Sequence, residues 1–101
     1  MLNGENKELC YQVLQEYGTE AQMLMVIEEC SELQKAICKS FRSHTNEPVK
    51  EVDSAILEEM VDVIVMCEQL RLLACVSMED VNEIAKRKLI RALGRTNNVQ
   101  I

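Results

Sequence analysis

The sequence has no tryptophan, and aromatic residues make up only 3% of it. It has one proline and three glycines among 101 residues, so most of the chain lacks the residues that interrupt helices. Hydrophobic residues, in contrast, make up 48% of the sequence. This length and composition predict one all-α domain spanning residues 1–101.

Motifs that would direct the chain to a membrane or to a zinc-ribbon fold are also missing. No apolar run approaches the roughly 20 residues of a membrane-spanning helix, and residues 1–7 contain no apolar signal core. None of the five cysteines forms a C-x-x-C pair, which removes support for zinc-ribbon and thioredoxin-like folds. We therefore expect a soluble cytoplasmic protein whose cysteines are small buried residues.

The net charge of −6 makes the chain a poor candidate for binding nucleic acid through its phosphates. It remains compatible with a small anionic substrate if a bound metal ion supplies positive charge. No nucleic-acid or membrane partner is therefore expected.

Hydrophobic spacing and capping residues predict four helices, two of them long. We expect them at Asn6–Tyr17, from Thr19 as cap to about Phe41, from a start between Val49 and Asp53 to about Cys75, and from Ser77 as cap to Gly94. Residues 42–49 are predicted to form a loop, and residues 96–101 a frayed tail. The buried face of the third helix is predicted to include Leu57, Met60, Val61, Ile64, Cys67, Leu70 and Ala74.

Two acidic clusters interrupt the apolar pattern of the second and third helices. The first spans residues 28–32 (EECSE), and the second spans residues 58–62 (EEMVD). In each cluster the last acid lies on the same helical face as one of the first two. Apolar residues flank both clusters, and carboxylates in such surroundings are costly unless something offsets their desolvation. A hard divalent cation between two facing helices would do so.

An all-oxygen set of ligands favours Mg²⁺ or Mn²⁺. A di-iron site is disfavoured because the only histidine, His44, falls in the predicted loop. The alternative is that these acids simply belong to solvated helix faces, which are commonly rich in glutamate.

The two clusters and their neighbours, residues 26–33 (VIEECSEL) and 57–64 (LEEMVDVI), resemble the motif pair of the MazG-like all-α nucleoside triphosphate pyrophosphohydrolases. The resemblance covers approximately residues 20–95, nearly the whole domain. It implies a four-helix, bundle-like fold assembled into a homodimer or homotetramer. It also implies cleavage of an NTP or dNTP between its α- and β-phosphates, with house-cleaning of aberrant nucleotides as the family-level role.

The resemblance also implies roles for individual residues. The metal ligands would be Glu29, Glu32, Glu59 and Asp62. Glu28 would bind a further metal ion or orient the attacking water, and either Glu28 or Glu32 would accept its proton. Contacts to the substrate phosphates would come from Lys86, Lys88, Arg91 and Arg95.

Two other functions stay open at this point. One is a non-catalytic helical module for dimerisation or nucleotide sensing, with the same fold. The other is a helical metal-binding or partner-binding domain unrelated to nucleotides.

Ala92 stands where family members often carry an asparagine four residues after a lysine, a departure that concerns base specificity.

Overall fold

A computed structural model describes residues 1–43 and 54–96 of the chain. These residues form four helices, α1 (Gly4–Tyr17), α2 (Thr19–Ser43), α3 (Ser54–Ala74) and α4 (Met78–Thr96), and they contain no strand. The all-α prediction is therefore confirmed for this part of the chain. None of its helices is both long enough and apolar enough to cross a membrane.

The boundary between α1 and α2 follows from Gly18. This residue has φ 87°, a value that glycine adopts without strain, and its N–H donates to the Leu14 carbonyl at 2.9 Å. Gly18 thus ends α1 as predicted. Its carbonyl also accepts the N–H of Gln22 at 3.2 Å, so Thr19 is already helical, and the prediction that Thr19 caps α2 is wrong.

Three other predicted boundaries differ from the structure. Helix α1 begins earlier than Asn6, because the Asn3 side chain caps it by accepting the N–H of Asn6 at 2.9 Å. Residues 42 and 43 belong to α2 rather than to a loop, and Gly94 lies inside α4. The rest of the predicted loop, the predicted start of the third helix and residues 97–101 lie outside the described residues.

Helices α2 and α3 form the principal packing contact, and α1 packs against both of them. Within the described ranges, α4 packs against none of the other three helices. In its first turns, Met78 and Val81 line a cavity of about 400 Å³ together with α3 and the first two residues. The fold is therefore a three-helix body with a projecting fourth helix.

The predicted buried face of α3 is wrong at five of its seven residues, whereas Ile64 and Leu70 are half-buried. Leu57, Met60, Val61, Cys67 and Ala74 are exposed, whereas Met66, Glu68 and Gln69 are buried. The reason is the spacing of Glu59, Asp62, Met66 and Gln69, which share one helical face. This face of α3 is turned toward α2, with Asp62 exposed at its edge, and much of the apolar face of α3 stays in solvent.

The same difference recurs elsewhere in the body. Ile27 and Phe41 of α2 and Tyr17 of α1, which belong to the apolar stripes of their helices, are exposed. Of the five free cysteines only Cys10 is buried, so the prediction of buried cysteines is wrong for the other four. One chain therefore leaves uncovered a large part of the apolar surface that its helical pattern provides.

The corner between α3 and α4 is short and hydrogen-bonded. The N–H of Cys75 donates to the Leu72 carbonyl and that of Val76 to the Arg71 carbonyl, both at 3.2 Å, which is the Schellman pattern of a helix end. Ser77 then caps α4, its Oγ accepting the N–H of Asp80 at 3.0 Å. These bonds fix the direction in which α4 leaves the body.

Cys75 occupies the left-handed position of this corner, with φ 55°. A residue with a Cβ is strained there, so Cys75→Gly is expected to raise the free energy of unfolding by about 0.5–1 kcal/mol. Urea denaturation measures the change. The matched control is Cys38→Gly, at an exposed position inside α2, which should lower stability by about 1 kcal/mol. A destabilised Cys75→Gly protein would contradict this account of the corner.

Candidate metal centre

Three carboxylates from the two acidic clusters converge between α2 and α3. Glu29 of α2 and Glu59 and Asp62 of α3 each offer a carboxylate oxygen, and these oxygens all lie within 4.8 Å of one another. Glu59 and Asp62 are three residues apart, so they project from one face of α3. The packing of α3 against α2 sets that face opposite Glu29. We call Glu29, Glu59 and Asp62 the carboxylate triad.

The triad is partly sheltered and partly open to solvent. Glu29 and Glu59 are half-buried, and Asp62 is exposed. Such a site suits Mg²⁺, which prefers oxygen ligands and keeps several waters or substrate phosphates in its coordination shell. The protein provides three oxygens on one side, and the exposed side of Asp62 leaves space for the remaining ligands.

Electrostatics at the triad are unfavourable without a cation. Burial raises the pKa of Glu29, and the charges of Asp62, Glu59 and Glu28 raise it further, together with a side-chain hydrogen bond to Asp62. Ionisation of Glu29 beside these negative charges is therefore unfavourable, and a bound cation would offset the repulsion. The donor set therefore fits a divalent metal ion.

Glu28 and Glu32, the other two predicted site residues of α2, lie outside the triad. Glu28 is exposed beside Glu29 in the chain. The Oε1 atom of Glu32 lies 3.3 Å from Lys35 Nζ, a partner one helical turn away. Of the four predicted metal ligands, the structure thus brings three together and leaves Glu32 paired with a lysine.

The predicted phosphate contacts lie on α4 and are exposed. Because α4 does not pack on α2 or α3, the described part of a single chain does not bring Lys86, Lys88, Arg91 or Arg95 to the triad. Helical spacing adds Arg87, which forms one ridge with Arg91 and Arg95 at intervals of four residues. Lys86 lies away from this ridge. The four-residue interval was the sequence signal that would have singled out Arg87.

Sequence reasoning missed an ion pair at the other end of α3. Arg71 donates from Nε to both carboxylate oxygens of Glu68, at 3.1 and 3.0 Å, and from Nη2 to Oε1. Its Nη1 donates to the Val76 carbonyl at 2.8 Å. Arg71 therefore joins α3 to the α3–α4 corner. The three-residue spacing between Glu68 and Arg71 could have indicated this ion pair from the sequence, although pairs with that spacing usually lie on the helix surface.

A comparison of the chain with protein families, with curated proteins and with solved structures finds no match. The resemblance to MazG-like proteins therefore rests on the two acidic motifs alone, and the function is argued from the site.

The raised pKa of Glu29 predicts how metal binding depends on pH. The folded state holds the Glu29 proton more tightly than the unfolded chain does, so this group lowers stability at neutral pH. That penalty fades as the pH falls through the raised pKa. A metal ion needs the ionised carboxylates, so its stabilising effect should fade over the same range.

At neutral pH, Mg²⁺ or Mn²⁺ at 100 times its dissociation constant is expected to stabilise the fold by about 2.7 kcal/mol. Thermal unfolding over a series of pH values, with and without the metal ion, measures both effects. Glu58→Gln, which changes an exposed neighbour outside the triad, is the matched control for Glu59→Gln. If the metal ion stabilises Glu59→Gln as much as Glu58→Gln, it binds somewhere other than the triad.

Proposed function

We propose that the chain is a Mg²⁺-dependent nucleoside triphosphate pyrophosphohydrolase, with Mn²⁺ as a possible substitute. It cleaves an NTP or dNTP between the α- and β-phosphates to give a nucleoside monophosphate and pyrophosphate. The observation that supports this most is the carboxylate triad. Residues about 30 positions apart in the sequence place carboxylate oxygens within 4.8 Å of one another, and they come from the motifs that resemble the family.

The triad residues hold the metal ion, while neighbouring groups handle the proton and the substrate. A bound Mg²⁺ would neutralise charge on the phosphates and would make the attacking water more acidic. Glu28, which is exposed beside Glu29, would accept the proton of the attacking water. Glu32 is the alternative acceptor, although its Oε1 already lies 3.3 Å from Lys35 Nζ. The cations of α4 bind the substrate phosphates.

The working form in this proposal is a homo-oligomer. Its support is the exposed apolar surface of α2, α3 and α4 and, among the described residues, the lack of packing between α4 and the other helices, both of which a second copy would remedy. Free cysteines are typical of a reducing compartment, which is why we place this activity in the cytoplasm. If the protein sediments as a monomer, the proposed oligomer is contradicted. The arrangement of the carboxylate triad would not be affected by this result.

One observation favours a second candidate, a nucleotide-sensing or dimerisation module of the same fold without turnover. The α4 cations and the triad are not brought together in the described part of one chain. A chain that keeps them apart would bind a metal ion or a nucleotide without aligning it for hydrolysis.

The test is pyrophosphate release from a panel of NTPs and dNTPs with and without Mg²⁺. If the chain cleaves between the α- and β-phosphates, it should release pyrophosphate rather than orthophosphate, and this release should depend on Mg²⁺. Nucleotide binding without release would favour the sensing module. If neither binding nor release occurs with any member of the panel, the nucleotide proposal fails, and a helical domain unrelated to nucleotides replaces it.

A further inference from the structure

The cavity of about 400 Å³ at the corner between α3 and α4 lies away from the carboxylate triad. Arg71, which lines this cavity, follows Asp62 by nine residues, or about two and a half helical turns. The two side chains therefore leave α3 on opposite sides. The cavity is a second candidate site, separate from the metal centre.

The walls of the cavity are mostly apolar. Among the described residues that line it, only Glu68 and Arg71 carry charge. The apolar side chains include those of Leu2, Ile64, Leu70, Val76, Met78 and Val81. Binding sites for small molecules are typically concave apolar pockets of about 300–1,000 Å³ in which a few polar groups orient the ligand. This cavity has that composition, and its volume suits a small ligand.

Arg71 has hydrogen-bonding capacity left over for a ligand. A guanidinium has five N–H groups. Arg71 donates from Nε and Nη2 to Glu68 and from Nη1 to the Val76 carbonyl. Two N–H groups therefore have no partner among the described residues, although the Arg71 side chain is only 20% exposed. A ligand in the cavity that carries an acceptor oxygen would satisfy them.

Charge around Glu68 favours an anionic acceptor. Arg71 balances the charge of Glu68. Hydrogen bonding to Arg71 and the positive charges of Arg71 and Lys7 lower the pKa of Glu68, although burial raises it. Lys7 thus lies within electrostatic reach of the pair and leaves this region with an excess of positive charge. Hydrogen bonds from a guanidinium to a carboxylate are about twice as strong as those between neutral groups.

We propose that this cavity binds a small apolar monocarboxylate, a free acid with a chain of medium length, whose carboxylate accepts from Arg71. The apolar chain lies against α3 and the start of α4. Binding adds contacts on both sides of the corner and so stabilises the direction in which α4 leaves the body. It uses neither the triad nor the cations of α4, so this inference goes beyond the proposed function and does not depend on hydrolysis.

The experiment is a titration of the intact chain, labelled with ¹³C at its methionine methyl groups, with octanoate at neutral pH and below its micellar concentration. Met78 lines the cavity, whereas Met23 and Met60 do not. Octanoate should shift the NMR signal of Met78 and leave those of Met23 and Met60 unchanged. Octanol has the same chain without the charge, and it should bind about 10-fold or more weakly because it loses the charged hydrogen bonds to Arg71.

Two substitutions at Val81, in the cavity wall, test the charge of the ligand. Val81→Glu and Val81→Gln have nearly the same size, but only the glutamate repels a carboxylate. Octanoate should bind Val81→Glu about 10-fold more weakly than Val81→Gln, whereas octanol should bind both equally. Val13→Glu, at a similarly exposed position of α1 outside the cavity, should bind octanoate as the wild type does. Circular dichroism checks that each variant is folded.

A selective shift of Met78, with the expected preference for octanoate, supports the proposal. The absence of any shift would overturn it, and so would equal shifts of Met23 and Met60, which would indicate general adsorption to exposed apolar surface. Equal affinity for octanol, or equal binding of octanoate to the two Val81 variants, would also overturn it, because the carboxylate would then make no contact with Arg71. No nucleotide or Mg²⁺ is present, so the result is independent of whether the chain hydrolyses nucleotides.

Discussion

Replacing Asp62 by Asn is expected to lower the rate of pyrophosphate release by about 10²–10³-fold, the scale of losing one fixed electrostatic contact in an active site. The substitution preserves size and removes one negative charge from the triad, where the three oxygens lie within 4.8 Å of one another. Steady-state rates with Mg²⁺ measure the loss. Because Asp62 is exposed, the fold should survive the change, and circular dichroism should match that of the wild type.

Glu58→Gln serves as the control for this substitution. It removes one carboxylate from the same cluster on α3, but Glu58 is not part of the triad. We expect its rate to lie within a few-fold of the wild-type rate. Similar losses in both variants would mean that general acidity of the surface, rather than the triad, supports activity.

Replacing Glu68 by Ala is expected to lower the free energy of unfolding by about 2–3 kcal/mol. The Glu68 side chain is 8% exposed and that of Arg71 is 20% exposed, so the substitution leaves a largely buried guanidinium without its carboxylate. Breaking a fully buried pair costs about 3–5 kcal/mol, and the residual exposure of Arg71 reduces this figure. Urea denaturation measures the loss.

The pH dependence of this contribution has a definite sign. Hydrogen bonding to Arg71 lowers the pKa of Glu68, although burial alone would raise it. The positive charges of Arg71, Lys7 and the N-terminus lower this pKa further. The stabilisation is therefore complete above the ordinary glutamate pKa and is lost as the pH falls through the lowered one. In Glu68→Ala this acid-dependent loss should disappear.

Lys35→Ala provides the matched comparison, because it removes an i,i+3 ion pair that is mostly exposed. Its cost should stay below about 1 kcal/mol, as for other surface pairs. The double variant Glu68→Met/Arg71→Met should recover part of the loss seen in Glu68→Ala, since two apolar side chains leave no unpaired charge. Equal costs for Glu68→Ala and Lys35→Ala would contradict the buried role of the Glu68–Arg71 pair.

The sequence predicted the helices well because their boundaries depend on local chemistry. Gly18 and Ser77 end and begin helices for reasons contained within a few residues. Helical spacing predicted that Asp62 lies on one face with Glu58 or Glu59, and the choice of Glu29, Glu59 and Asp62 came from the resemblance to the MazG-like motif pair.

The buried faces could not be predicted in the same way. Apolar residues such as Met60 and Val61 were assigned to the core, yet the single chain buries Gln69, which is 1% exposed. A hydrophobic pattern indicates which surface avoids water, but it does not tell whether the same chain or a second copy covers that surface. The direction of α4 depends on Arg71, whose side chain links residues 68 and 76, and the pattern of apolar residues carries no information about it.

The most direct test of the central claim is the anomalous diffraction of crystals grown or soaked with Mn²⁺. The account predicts an anomalous peak between α2 and α3, about 2.1 Å from one carboxylate oxygen each of Glu29, Glu59 and Asp62. Well-ordered crystals that bind Mn²⁺ only at other positions, with these three side chains turned apart, would contradict it.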